Sequence, residues 1–292
     1  EELYDIYEIA KKLKINANIC LRINPDIAPN THKKISTGEK ETKFGIDSEK
    51  IISIYKKLHE LDYINPYGLG VHIGSQIFDF SFFQKAYSYL KWIAENLKKS
   101  GYNVPALDLG GGIGIHYERN KKPDFDNYKK IISELFLNSD YNLSFEPGRI
   151  LIAEAGILIT KVIRNKKNKD KKFIVVDAAM NNLIRPTLYD AYHNIETVKL
   201  KSGPEKVVDI VGPICETGDY FALNRKFVEV SNDDLLTIRT AGAYSSVMKS
   251  NYNSRVDAVE ILIYNGRSYQ MKEIDTIQDM ISKEKIIDSL II

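Results

Sequence analysis

The sequence predicts an α/β domain over residues 1–151 followed by a mainly β domain over residues 152–292. Three observations carry this. Apolar strand-like runs alternate with helix-period segments through the first half. Each of those strand-like runs ends in glycine or polar residues. After Arg149 the long helical segments vanish, and short β-branched runs separated by turns replace them.

In order along the chain, Leu3, Ile6, Tyr7, Ala10 and Leu13 share one helical face, so the chain opens inside an amphipathic helix. It does so without a methionine, and we expect the sequence to be the C-terminal portion of a longer protein. "ANICLRINP" (17–25) reads as a buried strand stopped by Pro25. A helix follows from about residue 47 to 62, then a strand, "GLGVHIGS" (68–75). Residues 79–100 form a long helix closed by Gly101, and "ALDLGGG" (106–112) is a strand running into a glycine turn. A helix at 126–137 precedes a last strand, "LSFEPGR" (143–149). Such alternation means parallel strands with right-handed crossovers. Their ligand-facing ends would belong to a (β/α) barrel or to an open sheet. In the second half, "GILITKVIRN", "KKFIVVDAAM", "EKVVDIVGPI", "LLTIRTAGAY" and "AVEILIYNGRSYQMK" read as strands. The basic stretch "RNKKNKDKK" (164–172) between two of them reads as a solvated hairpin loop.

Composition narrows the function classes. Hydrophobic residues make up 43% and charged residues 27%, as in a globular protein, and the net charge of +2 supplies no field for nucleic acid. Two distant cysteines, Cys20 and Cys215, make no disulfide framework and suggest a reducing, cytoplasmic setting. No apolar run has transmembrane length.

Three strand ends carry chemistry. Gly110, Gly111 and Gly112 let a backbone approach a phosphate closely and aim N–H groups at it. Their spacing is not that of a dinucleotide fingerprint, and a tight turn is the competing reading. "VHIGSQ" ends a strand with His72 and Ser75, and "FEPGR" ends another with Glu146 and Arg149, a pair that could equally be a salt bridge. Together these offer a phosphate cradle, a ring that can stack, a carboxylate and a guanidinium. Pyridoxal phosphate requires that set.

The sequence also resembles a known family. "LRINPD", "STGEKETKFGI", "GLGVHIGSQ", "LDLGGGIGIHY", "EPGR", "MNNLIRPTLYDAYH", "GPICETGD" and "AGAYSSVMKSNYNSR" occur in the order seen in diaminopimelate decarboxylases, members of the alanine-racemase-like, ornithine-decarboxylase-like pyridoxal-phosphate enzymes. The resemblance implies the C-terminal part of a (β/α)₈ barrel that binds pyridoxal 5'-phosphate, followed by a β domain that carries substrate and dimer-site residues. It implies a cytoplasmic homodimer with shared active sites that converts meso-diaminopimelate to L-lysine, without nucleic-acid or membrane partners. It makes His72 the residue that stacks on the cofactor ring. Ser75, Gly110 to Gly112 and the turn of Glu146, Pro147, Gly148 and Arg149 become the phosphate surroundings, with Glu146 paired to the pyridine nitrogen. Arg149 and Arg185, with Tyr189 alongside, become substrate-carboxylate clamps, and Tyr244 reaches both cofactor and substrate. Cys215 becomes the proton donor to the α-carbon, since a thiol carries a transferable proton at neutral pH. Glu216 becomes the partner of the substrate's distal ammonium. The family's cofactor-attaching lysine sits in a Lys-Ala-Asn strand that has no counterpart here. We therefore expect the first barrel strands and that lysine to be missing from this sequence. A decarboxylase of ornithine, arginine or carboxynorspermidine would share the barrel but does not need "RPTLYDAYH" and "CETGD". A non-catalytic paralogue that lost its lysine would have no reason to keep Glu146, Arg149 and Cys215.

Overall fold

The computed structural model describes residues 1–29, 37–38, 43–118, 122–273, 275–282 and 284–285. Residues 36 and 39–42 of the "STGEKETKFGI" segment lie outside them. The chain divides into two compact units, residues 1–116 with 120–151, and residues 117–119 with 152–292.

The first unit is built on an all-parallel sheet. Its strands are β1 (Ala17–Asn24), β2 (Ile46–Asp47), β3 (Ile64–Val71), β4 (Ala106–Asp108) and β5 (Asn142–Ser144), in the spatial order β2-β1-β3-β4-β5. Helices α1 (Glu2–Leu13), α2 (Ile51–His59), α3 (Ser81–Lys99) and α4 (Phe125–Phe136) alternate with them. Phe83, Ala86, Tyr87, Leu90, Ile93, Ala94 and Leu97 recur every three or four residues along α3 and are buried against the sheet. The Tyr87 and Tyr128 hydroxyls meet at 2.8 Å and tie α3 to α4 inside this apolar layer. In α1, Leu3, Ile6 and Tyr7 pack against the core, whereas Leu13 stays 59% exposed.

The strand expected at 68–75 is shifted: β3 spans residues 64–71, and His72 and Ser75 lie just past its end. The shift follows from pairing. Ile64 to Val71 align with Ala17 to Ile23 of β1, across a bulge between Ile19 and Cys20.

The second unit holds β6 (Leu158–Asn168), β7 (Lys171–Val176), β8 (Ile195–Thr197), β9 (Lys206–Val211), β10 (Tyr220–Phe227) and β11 (Leu235–Ile238), in the order β10-β9-β7-β6-β11-β8. All pairs are antiparallel except β7 with β9. Val162, Val176, Ile210, Leu236 and Ile238 sit in its core. The basic stretch at 164–172 is not a loop. Lys166 pairs with Phe173 and Lys167 with Lys172, so its lysines decorate two long paired strands around a tight turn. The run read as one strand, "AVEILIYNGRSYQMK", is instead a hairpin of β12 (Ile261–Tyr264) and β13 (Arg267–Gln270). Asn265 (φ 49°) and Gly266 (φ 71°) supply the two left-handed residues that a two-residue turn demands. Short helices α5 (Arg149–Ile152), α6 (Arg185–Tyr189) and α7 (Ile277–Ile281) complete the described chain. None of its helices is long and apolar enough to cross a membrane.

Candidate functional site

Parallel strands put all their C-terminal ends on one edge, and the polar loops after β3, β4 and β5 meet there. His72 follows β3, the glycine run follows β4, Glu146 to Gly148 follow β5, and Arg149 opens α5. The Gly111 N–H donates to His72 Nδ1 at 3.2 Å. Burial pushes the His72 pKa below its usual range, and Arg22 adds to this against a smaller opposing pull from Asp108. Both observations describe one state: a neutral imidazole with its lone pair at Nδ1 and its hydrogen at Nε2. Glu146 Oε2 lies 3.8 Å from the same Nδ1. Because the ring is neutral, this contact is not an ion pair. The Glu146 side chain stays 61% exposed and can take another partner.

The surrounding bonds fix these groups. Arg22 on β1 and the Thr37 hydroxyl both donate to the His72 carbonyl, at 3.3 and 3.0 Å. Asp108 accepts from the Gly110 N–H (2.7 Å) and the Ser144 hydroxyl (3.0 Å), locking β4 to β5. The Glu146 N–H donates to the Gly110 carbonyl at 2.8 Å. A Cβ on Gly111 would sit 2.1 Å from the Glu146 carbonyl oxygen, so only glycine lets the two loops touch. The glycine run is thus first a packing device. Gly110 and Gly111 spend their N–H groups on Asp108 and His72, and of the three only the Gly112 N–H has no protein acceptor among the described residues. The buried Arg149 donates from Nη2 to the Ser75 hydroxyl at 3.3 Å. Pro147 and Gly148 complete the turn, and a Cβ at Gly148 would meet open space.

The second unit gathers the other candidates. Arg185 opens α6 and Tyr189 closes it. Cys215 and Glu216 lie on the loop between β9 and β10, both exposed. That loop is clamped from beneath. The buried Asp219 carboxylate accepts from the Met180 and Ile214 N–H groups, both at 2.7 Å. Burial nonetheless pushes its pKa up, outweighing those donors and Arg255. The Thr187 hydroxyl donates to the Gly218 carbonyl at 2.6 Å, joining α6 to the loop. A turn at 251–254 reaches the pair from the other side. The Tyr252 hydroxyl donates to Glu216 Oε2 at 2.5 Å, and Asn253 Nδ2 donates to Cys215 Sγ at 3.4 Å. Asn253 (φ 60°) and Ser254 (φ 53°) are successive left-handed residues that this turn requires. Met180, Asn181, Ile184, Glu216, Ser250 and Tyr252 line an open cavity of about 510 Å³ whose walls are mostly apolar. Tyr244 is partly exposed and also left-handed (φ 57°), an unusual conformation for an aromatic residue.

Arg22, Asp108, Asp219, Tyr252 and Asn253 were not singled out from the sequence. Arg22 had a signal, a charge inside an apolar strand. Asp219 had another, the last residue of "GPICETGD". Tyr252 and Asn253 lie inside the "AGAYSSVMKSNYNSR" motif, but nothing in it points to their partners, which are 36 and 38 positions away.

Residues 1–153 match the family described as pyridoxal-dependent decarboxylase, pyridoxal binding domain. The diaminopimelate decarboxylase of Zymomonas mobilis is 42% identical over 291 residues, covering 99% of this chain and 69% of that protein. The chain belongs to the diaminopimelate decarboxylase family. Among solved structures, diaminopimelate decarboxylase from Helicobacter pylori, complexed with L-lysine, superposes with a TM-score of 0.91 at 35% identity. That match covers 96% of this chain and 70% of the other. The M. jannaschii diaminopimelate decarboxylase in co-complex with L-lysine gives 0.90 at 36% identity, covering 99% and 68%. The α/β part is accordingly a portion of the family's pyridoxal-phosphate barrel, and the second unit is its β domain. The family settles the choice between barrel and open sheet, which the alternation of strands and helices left undecided.

Proposed function

We propose that the enzyme carrying this chain removes carbon dioxide from meso-diaminopimelate to give L-lysine, using pyridoxal phosphate. The observation that supports this reading best is the neutral His72 ring beside the exposed Glu146 carboxylate at the strand ends. Pyridoxal phosphate is the family's cofactor, and the donor set fits it. A neutral imidazole stacks on a pyridine ring without adding positive charge. A carboxylate holds a proton on the pyridine nitrogen. The Gly112 N–H and the Ser75 and Arg149 pair suit a phosphate. When bound, the cofactor supplies the electron sink that carbon dioxide loss requires.

The remaining roles fall to side chains. Arg185 and Arg149 bind carboxylate with planar guanidinium forks that lysine cannot imitate. Tyr189 lies beside the first of these clamps, and Tyr244 contacts cofactor and substrate. Glu216, at the mouth of a largely apolar cavity, pairs with the distal ammonium. Leaving that carboxylate unpaired would penalise substrates without the group. Cys215 donates the proton that replaces carbon dioxide, from the β domain of a second copy in a cytoplasmic homodimer. The two lysine-bound relatives fit a site shaped for that product.

The test is substrate competition. The enzyme should release carbon dioxide from meso-diaminopimelate and leave ornithine and arginine nearly untouched. Comparable turnover of ornithine would overturn the assignment. Replacing Arg185 with Lys should narrow the gap between these substrates by raising KM for diaminopimelate, because the second carboxylate that the guanidinium binds is the group ornithine and arginine lack.

A further inference from the structure

The second unit holds a buried trio around Arg185. This guanidinium is 4% exposed, and its carbon lies 4.3 Å from the centroid of the Tyr117 ring. Its Nη1 is 2.8 Å from His193 Nε2. His193 is fully buried, and its Nδ1 lies 2.9 Å from the Arg239 carbonyl oxygen. The Tyr117 ring meets the imidazole edge-on at 4.8 Å, closing the triangle.

These partners dictate the state of the imidazole. A guanidinium only donates, so Nε2 must offer its lone pair. A carbonyl only accepts, so Nδ1 must carry the hydrogen. A doubly protonated ring would oppose two N–H groups and two buried cations across 2.8 Å. We infer that His193, as the neutral Nδ1–H tautomer, and Tyr117 are positioning residues that fix the Arg185 guanidinium for its carboxylate. The inference rests on the reading of Arg185 as a substrate clamp.

The choice of partner has a physical reason. A free arginine side chain carries rotamer entropy that binding must otherwise remove. A carboxylate partner would hold Arg185 as well, but it would cancel the charge meant for the substrate. A neutral imidazole fixes one N–H and itself cancels none of the positive charge. The Tyr117 face adds attraction to a cation without competing for its donors.

Two measurements on the holoenzyme test this. In protein labelled with ¹⁵N-histidine, the His193 ring should show hydrogen on Nδ1 and a bare Nε2. A ring protonated at Nε2, or at both nitrogens, overturns the inference. In kinetics, His193→Leu and His193→Glu should each raise KM by about tenfold or more with kcat changed far less. The leucine variant loses the acceptor, and the glutamate variant cancels the charge. His193→Gln keeps a neutral acceptor and should recover most of the affinity. Equal KM in all variants overturns the inference, and should the leucine variant fail to fold, the glutamate variant and the tautomer decide. Arg185→Ala provides the separate control. If it leaves KM unchanged, Arg185 is not the clamp, and the reading beneath the inference fails even where the tautomer is as stated.

Discussion

At the scale of single residues, the protonation state of His72 decides what the strand-end cluster can do. The fold lowers its pKa, so the unfolded chain takes up a proton more readily than the folded one as pH falls through the ordinary histidine range. The stability that the neutral ring contributes is complete above that range and is lost on acidification. Urea unfolding at pH 7.5 and pH 5.5 should therefore show a larger loss for the wild type than for His72→Gln. An equal loss would mean that His72 titrates alike in both states. Gly111 is the second decisive residue. Its alanine variant places a Cβ 2.1 Å from the Glu146 carbonyl oxygen, and relieving that clash must push the Glu146 loop away from β4. We expect about 1–3 kcal/mol of destabilisation and weakened pyridoxal phosphate binding by equilibrium dialysis. Unchanged stability and affinity would mean that the loops can separate freely. The glycine run could be found from the sequence, but its purpose could not. A phosphate cradle and a packing contact demand the same residue, and only the His72 and Asp108 acceptors reveal where the N–H groups go.

At the scale of elements, the contrast between periodic and local signals explains what could be read in advance. Helix α3 was legible because its buried positions repeat every three or four residues from Phe83 to Leu97. The end of β3 was not, because register with β1 sets it and no residue of β3 itself announces the stop. The hairpin at 261–270 carried a clear Asn-Gly turn signal between two short strand-like halves, which read together as one run. The loop of residues 212–219 is the most instructive element. Cys215 and Glu216 drew notice from the sequence, yet Asp219 holds the loop, by accepting from Ile214 within it and from Met180 at a distant chain position. Asp219→Ala should strand two buried N–H groups at a cost of about 1–3 kcal/mol for each. Denaturant midpoints would register this, and Glu216→Gln, whose group is exposed, should leave them unmoved. Equal midpoints for Asp219→Ala and wild type would show that the loop does not depend on this carboxylate.

At the scale of the whole molecule, the proposed composite site makes a demand that no single chain can satisfy. Arg149 belongs to the barrel portion and Cys215 to the β domain, each held by bonds within its own unit. If the Cys215 loop serves the partner's barrel, each active site draws the two residues from different chains. In the active enzyme, Cys215→Ala and Arg149→Ala homodimers should then each be nearly inactive, one lacking its proton donor and the other a clamp. Mixing them generates heterodimers in which one site combines both defects and the other is intact. Co-expressed subunits carrying different affinity tags, purified through both tags in turn, should therefore recover activity approaching half of the wild-type value per dimer. The fraction follows from counting intact sites, so it also discriminates against trivial contamination by either parent. If doubly tagged dimers form and no activity returns, the cysteine acts within its own subunit or does not act in the reaction. In that case the exposed thiol, with Asn253 donating to it, would need another explanation.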